Sequence, residues 1–182
     1  MNILTTILIV IPCILALILI FALFMKKNHY AKSDIIINAP RQRIFDYVKL
    51  IKNQETFNKN AMADPDRINE FKGIDGTVGF IYSWSGNKNA GEGQKEIMKI
   101  DEGKRIEMEI RFVKPMKAIG LVIMETESIS VNQTKVSWSN SGFLNYPLNI
   151  MIPIMEKHIA KDMNSSLSTL KTILEKQSSH VK

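Results

Sequence analysis

The sequence contains little of the chemistry that binds metals or cross-links a chain. Its one cysteine, Cys13, lies in an apolar N-terminal segment, so these residues form no intramolecular disulfide and the fold must be stable without one. The histidines His29, His158 and His180 are widely separated and have no cysteine near them, whereas a metal site needs clustered ligands. The sequence therefore predicts no metal site and no bound cofactor.

Motifs for common catalytic chemistries are also missing. Gly73, Gly76 and Gly79 are spaced G-x-x-G-x-x-G and precede a predicted strand, which is not the dinucleotide-binding fingerprint. The serines that flank the two tryptophans have no histidine near them in the sequence to act as a base, so a nucleophilic triad is unsupported. No catalytic residue is assigned from the sequence.

The formal net charge of +6 is concentrated in one segment. Residues 26–59 hold eight basic and three acidic side chains, and beyond residue 59 the two signs nearly balance. Basic residues directly after an apolar segment favour an anionic membrane surface. Because the sequence has no fingerprint of a nucleic-acid-binding module, we expect no nucleic-acid partner.

The sequence does contain one long hydrophobic run, which predicts a transmembrane helix over residues 3–25. Such a helix would span about 34 Å, slightly more than the ~30 Å hydrocarbon core of a bilayer. A cleaved signal peptide is one alternative, but no basic residue precedes the run, its apolar core is too long and no small-residue cleavage site follows. A lipid attached to Cys13 is another, but a dozen apolar residues follow this cysteine. We therefore expect an uncleaved anchor.

The charges that flank this helix predict its orientation. Lys26, Lys27 and Lys32 follow it and no basic side chain precedes it, so the positive-inside rule places the rest of the chain in the cytoplasm. The interpretation is a single-pass membrane protein with a basic juxtamembrane linker over residues 26–33, a soluble domain over residues 34–176 and a flexible tail over residues 177–182.

The segments after the linker predict strands and short helices. Residues 34–40 are rich in isoleucine and end in proline, which predicts a strand, and apolar residues at helical spacing then predict a short helix. Residues 52–76 predict a second short helix, loops and a brief strand. Apolar residues at positions 78, 80, 82 and 84 predict one large buried face. In residues 105–112 apolar and charged side chains alternate, which predicts a strand with one dry face. Further strands are predicted over residues 93–100, 117–130 and 134–143.

The last segment predicts a long amphipathic helix. Apolar residues recur at three- and four-residue steps from Leu148 to Leu174. A run of antiparallel strands with one apolar face needs a cover, and this helix has the matching apolar stripe. The predicted fold is therefore α+β: a curved antiparallel sheet wrapped around a long C-terminal helix, preceded by the transmembrane helix.

Several segments, in their order and spacing, carry a resemblance to a known family. They are IIINAP followed by RQRIFDYVKLI, then GIDGTVGFIYSWSG, GEGQKEIMKID, RIEMEIRF, TKVSWSNSG and a terminal helix that ends in SLSTLKTILE. Over about residues 33–176 the chain resembles the START-like superfamily, also called SRPBCC or polyketide cyclase/dehydratase-like, whose fold is named the helix-grip. The resemblance implies a hydrophobic cavity between the sheet and the C-terminal helix. Members use such a cavity for lipids, sterols, polyketides or quinones, some as enzymes and many only as binders or carriers.

Apolar side chains on the predicted inward faces are the candidates for the lining of this cavity. They are Phe80, Tyr82, Trp84, Met108, Phe112, Met124, Trp138, Met151 and Met155. The alternative is a filled core that needs all of these side chains. Tyr82, Trp84 and Trp138 are the better pocket candidates, because each has a polar tip that needs a partner when buried.

Three functional hypotheses follow from these patterns. The first is a membrane-anchored binding domain for a hydrophobic small molecule or lipid, without catalysis of its own. The second is a polyketide cyclase/dehydratase-type enzyme, which needs an ionisable group in the cavity; Tyr82, His158, Glu125 and Glu96 are the candidates. The third is a protein-interaction module that uses the outer surface of the same fold. The expected partners are the membrane and a hydrophobic ligand, and the oligomeric state stays open.

Overall fold

The structure is a computed structural model that describes residues 2–88 and 90–179. Its elements in chain order are α1 (Ile3–Phe24), β1 (Asn28–Ile37), α2 (Arg41–Lys49), α3 (Ile51–Gln54), α4 (Lys59–Met62), β2 (Ile68–Lys72), β3 (Ile81–Ser85), β4 (Glu92–Asp101), β5 (Arg105–Lys114), β6 (Ala118–Ser130), β7 (Gln133–Phe143), a 3-10 helix (Leu148–Met151) and α5 (Ile152–Ser179). Residues 180–182 of the predicted tail lie outside the described part of the chain. The first half of that tail belongs to α5.

Seven strands of the described chain form one antiparallel sheet in the order β1-β7-β6-β5-β4-β3-β2. From β2 to β7 each strand pairs with the next strand in the sequence. Strand β1 pairs along its whole length with β7, from Asn28 opposite Phe143 to Ile37 opposite Thr134. The first strand therefore forms the sheet edge beside the last strand, and β2 forms the other edge.

The inward face of the curved sheet packs against α5. Leu167, Leu170 and Leu174 repeat at helical spacing and are fully buried, and they belong to one core together with Ile106 and Met108 of β5. Each such side chain contributes about 1.5–3 kcal/mol when it leaves water. The α+β architecture predicted from the alternating strands and the amphipathic helix is confirmed.

Strand β1 is longer than the sequence patterns predicted. It begins at Asn28, so that most of the segment assigned to a linker is part of the sheet, and only Met25, Lys26 and Lys27 separate α1 from β1. Ala31 and Ser33 are buried at alternate positions while their neighbours are exposed. An edge strand with one wet face tolerates polar residues at every second position, which is why this segment looked like a linker.

The apolar face predicted for positions 78 to 84 begins two residues later than expected. Phe80, Tyr82 and Trp84 are buried, but Val78 is 61% exposed and precedes β3. Gly79 has a φ of +85°, so the chain turns there before it enters the sheet. Local alternation indicated the strand but did not mark this turn.

Helix α1 is long and apolar enough to cross a membrane. Over Thr6–Phe24 the mean hydropathy is 3.3, and 6% of the stretch is buried inside the structure. Among residues 2–88 and 90–179 it is the one helix with this length and composition, and a signal sequence near an N-terminus has the same properties. The helix continues through Pro12.

The 3-10 helix holds the end of α1. Asn149 is fully buried, and its Nδ2 donates to the carbonyl oxygens of Ala22 at 2.7 Å and Met25 at 3.1 Å. Carbonyls at the end of a helix need partners of this kind, because no later helical N–H reaches them. Lys26 forms an ion pair with Glu156 of α5 at 2.7 Å. The apolar helix is thus attached to the start of α5.

Candidate ligand-binding cavity

A cavity of about 340 Å³ lies between the sheet and α5. Its walls come mainly from β5, β6, β7 and the first half of α5. The pairing registers place it at the end of the sheet where β1 begins, because Ile110, Gly120, Gly142 and His29 are successive partners across four strands. The cavity is therefore beside the point at which α1 joins the domain.

Exposed apolar side chains form the rim of this cavity. Phe112 lies near the end of β5, Met116 in the β5–β6 connection and Phe143 at the end of β7, and all three are partly exposed to solvent. Met155 and the buried Leu144 also line the cavity. An apolar rim gives a hydrophobic molecule a favourable surface at the entrance to the cavity.

A buried lysine lies on the wall of the cavity. Lys95 is 6% exposed and occupies an inward position of β4 between Gly93 and Ile97, which are also buried. Its Nζ donates to the Oε1 of Gln54 at 2.9 Å. The amide Nε2 of Gln54 donates to the Val48 carbonyl at 3.3 Å, which fixes Oε1 toward the lysine.

Burial lowers the pKa of Lys95 to about 8, because an ammonium loses its hydration inside the domain. The carboxylate of Glu55 opposes this change in pKa and the guanidinium of Arg67 adds to it. Glu55 and Arg67 form an ion pair with each other. Within the described residues no carboxylate forms an ion pair with Lys95, which is one of the residues of the cavity wall.

The remaining polar groups of the cavity wall are mostly paired with one another. Asp162 of α5 forms an ion pair with Lys59 at 2.7 Å. The Oγ of Ser166 donates to the Asp162 carbonyl at 2.7 Å and accepts from the backbone N–H of Lys59 at 3.0 Å. Across the cavity, Nε2 of His29 lies 2.9 Å from Oδ1 of Asn140, while its Nδ1 is buried and has no partner among the described residues.

The structure divides the predicted lining residues into three groups. Phe112, Trp138 and Met155 line the cavity. Met151 lies outside it on the 3-10 helix and is 52% exposed. The other five pack in the core or against the aromatic residues of β2 and β3: Phe80, Tyr82, Trp84, Met108 and Met124.

An aromatic cluster packs on the inward face of the sheet at β2 and β3. The ring of Tyr82 stacks on Phe71 at 5.3 Å and on Trp84 at 5.7 Å between centroids. The Trp84 Nε1 donates to the Ala90 carbonyl at 3.1 Å, and the Tyr82 hydroxyl donates to Asn69 at 3.0 Å. The polar tips that suggested a pocket are satisfied inside this cluster.

None of the four ionisable candidates for catalysis lines the cavity. Burial raises the pKa of Tyr82, which belongs to the aromatic cluster. Glu96 pairs with Arg111, Glu125 pairs with Arg105, and His158 is exposed on α5. Lys95, a buried ionisable group that does line the cavity, was missed. The pattern that could have identified it is the alternation of β4, in which this lysine occupies an inward position.

Comparisons with known proteins agree with this geometry. No protein-family model matches the sequence, and no curated protein matches it. Solved structures do match. Norcoclaurine synthase from Thalictrum flavum, in complex with dopamine and hydroxybenzaldehyde, has a TM-score of 0.62 and 12% identity, with 86% of this chain and 91% of that chain covered. This chain has the helix-grip fold.

Two further structures share the helix-grip fold with this chain. Ara h 8.0201 matches with a TM-score of 0.59 and 13% identity over 82% of this chain and 99% of that one. The Aha1 dimer from Colwellia psychrerythraea matches with a TM-score of 0.54 and 17% identity over 78% and 92%. At these identities the likeness concerns the fold alone, since one fold carries many functions. The START-like resemblance is thus confirmed in its architecture.

Proposed function

We propose that this chain is a membrane-anchored protein that binds a hydrophobic small molecule or lipid in the cavity between the sheet and α5. The observation that carries the proposal is the position of the cavity, whose open apolar end lies beside the attachment of α1. The cavity volume of about 340 Å³ falls in the range of small-molecule sites. Hydrophobic ligands are concentrated at the bilayer, so a cavity beside an anchor has direct access to them.

The contacts at the end of α1 support this arrangement. Asn149 bonds to the last carbonyls of α1, and the backbone N–H of Leu144 donates to the Lys27 carbonyl at 2.8 Å. Leu144 itself lines the cavity and directly follows Phe143 of the rim. The backbone that follows the anchor is therefore hydrogen-bonded to the backbone beside the cavity rim. In this arrangement the cavity opens on the side of the domain that faces the anchor.

The surface around this junction is unusually apolar. Tyr146, Leu148, Met151 and Ile154 are each more than 40% exposed and lie between the end of β7 and the first turn of α5. Exposed apolar patches of this kind mark contact surfaces for membranes or other proteins. Beside a transmembrane helix, contact with the bilayer is the simplest account of the patch.

The test is co-purification of a ligand with the full chain in lipid nanodiscs, followed by native mass spectrometry and solvent extraction. Ala118→Trp places a large ring in the cavity, and Ile129→Trp places the same ring on the exposed part of the same strand. We expect a hydrophobic species with the native chain and with Ile129→Trp, and its loss with Ala118→Trp. A native chain that is empty and ignores a panel of lipids and quinones would contradict the proposal.

One observation favours an enzyme of the cyclase/dehydratase type as the second candidate. Lys95 places an amine of lowered pKa on the cavity wall, and such an amine is a general base near neutral pH. This candidate requires turnover that disappears in Lys95→Met. The open cavity itself supports ligand binding over the interaction-module alternative, which needs only the outer surface of the fold.

A further inference from the structure

We propose that Lys95 is a head-group site, and that the ligand of this cavity is an amphiphile with a carboxylate at one end, of the fatty-acid class. The inference rests on the proposed hydrophobic-ligand function and narrows it to one class of molecule. It starts from the contrast between a single buried ammonium and walls that are otherwise mainly apolar.

Lys95 has N–H donors that no described residue accepts from. An ammonium has three N–H donors, and among the described residues its Nζ has one acceptor, the Oε1 of Gln54 at 2.9 Å. A buried charge is stable only when it is paired and hydrogen-bonded. A ligand carboxylate supplies both the negative charge and the acceptor atoms that this site lacks.

The carboxylates near Lys95 form ion pairs with other basic residues. Asp162, on the cavity wall, pairs with Lys59. Glu55 pairs with Arg67, and Arg67 lies over the ring of Tyr82, the partner of Lys95 on β3. None of these carboxylates forms an ion pair with Lys95 within the described residues, so the carboxylate of a molecule in the cavity would meet no competitor for this ammonium.

Along the cavity the side chains change from a buried amine in the interior to apolar groups at the rim. Lys95 is buried and lies opposite Ile110 in the pairing of β4 with β5. Two residues further along β5, Phe112 reaches the exposed rim, where Met116 and Phe143 follow. An amphiphile fits with its carboxylate at Lys95 and its alkyl chain along these side chains toward the anchor. A single ammonium balances the single charge of a carboxylate.

The experiment compares lauric acid with lauryl alcohol, which have the same alkyl chain and differ in the head group. Equilibrium dialysis of both labelled probes is carried out on the full chain in amphipol, with protein-free amphipol subtracted. The variant is Lys95→Met, and the matched control is Lys99→Met, whose side chain is 70% exposed on the same strand. Circular dichroism melting of each variant shows that the domain is folded.

The native chain and Lys99→Met are expected to prefer the acid over the alcohol by about ten-fold or more, the size of a charge-assisted hydrogen bond. Lys95→Met is expected to lose this preference while it retains the affinity for the alcohol. Equal binding of acid and alcohol by the native chain, or an acid preference that survives in Lys95→Met, overturns the head-group site but leaves the hydrophobic cavity standing. Failure of the native chain to bind either probe overturns both proposals.

Discussion

Lys95 places a charge on a face of the sheet that is otherwise apolar, so the stability of the fold depends on whether this side chain is protonated. Burial lowers its pKa to about 8 in the folded protein from the ordinary lysine value of 10.5. Between these two pH values the unfolded chain holds a proton that the folded chain has lost, so stability rises with pH in this window. Below pH 8 both states are protonated, and the folded state carries the full cost of the buried charge.

The prediction for this residue concerns the slope of stability against pH. The free energy of unfolding of the native chain should rise from pH 7 to pH 10 relative to that of Lys95→Met, by up to about 3 kcal/mol. Urea unfolding of the soluble domain at both pH values, followed by tryptophan fluorescence, measures the difference. Lys99→Met should keep the native slope, and an identical slope in Lys95→Met would show that this ammonium is well hydrated.

At the scale of elements, the 3-10 helix connects α1 to the domain. Asn149 alone among the side chains of this element is fully buried, and its amide serves two carbonyls at the end of α1. The ion pair of Lys26 with Glu156 is partly exposed and contributes less. The attachment of α1 to the domain therefore depends mainly on one buried amide.

The corresponding prediction is that Asn149→Ala loosens the junction between α1 and the domain. The Met25 carbonyl loses its bond from the Asn149 amide, and the Ala22 carbonyl keeps only its bond from the backbone N–H of Met25, at a cost of about 1–3 kcal/mol. Hydrogen exchange of the full chain should become faster at residues 22–27 and 148–152. The exposed Asn145→Ala is the control and should not change exchange there. Unchanged protection in Asn149→Ala would mean that the junction is held by other contacts.

At the scale of the whole molecule, α1, the apolar patch and the cavity rim occupy one side of the domain. In the proposed function, this arrangement makes the bilayer both the attachment surface and the source of ligand. The basic residues Lys26, Lys27 and Lys32 all follow α1, which favours a cytoplasmic domain. The same residues, together with the rim, would then lie next to the anionic cytoplasmic leaflet.

Thiol labelling tests this orientation. Ser130, exposed near the β6–β7 turn, is replaced by cysteine in a Cys13→Ala background. A membrane-impermeant maleimide should label this residue only after the membrane is opened. Labelling in intact cells would place the domain outside and contradict the cytoplasmic assignment. A soluble processed form without the first 25 residues would indicate a signal sequence.

The elements of this protein were predictable where the pattern is local. The alternation of residues 105–112 and the apolar stripe of α5 each reflect the period of one element, and both are present in the structure. The start of β1 was missed, because a polar edge strand is recognisable only from its pairing with β7. The exposed Val78 was missed because a turn at Gly79 interrupts the alternation.

For β5 and α5 the sequence by itself determined which side chains point inward, since alternation and helical spacing are properties of single elements, and it determined the apolar length of α1. Only the tertiary structure decided which inward side chains face open space. The aromatic rings of β2 and β3 fill one half of the sheet, and the strand ends beside α1 leave the other half open. It also brought Gln54 to Lys95, a contact between residues 41 positions apart. Such a void depends on the distance between separate elements, which no local pattern records.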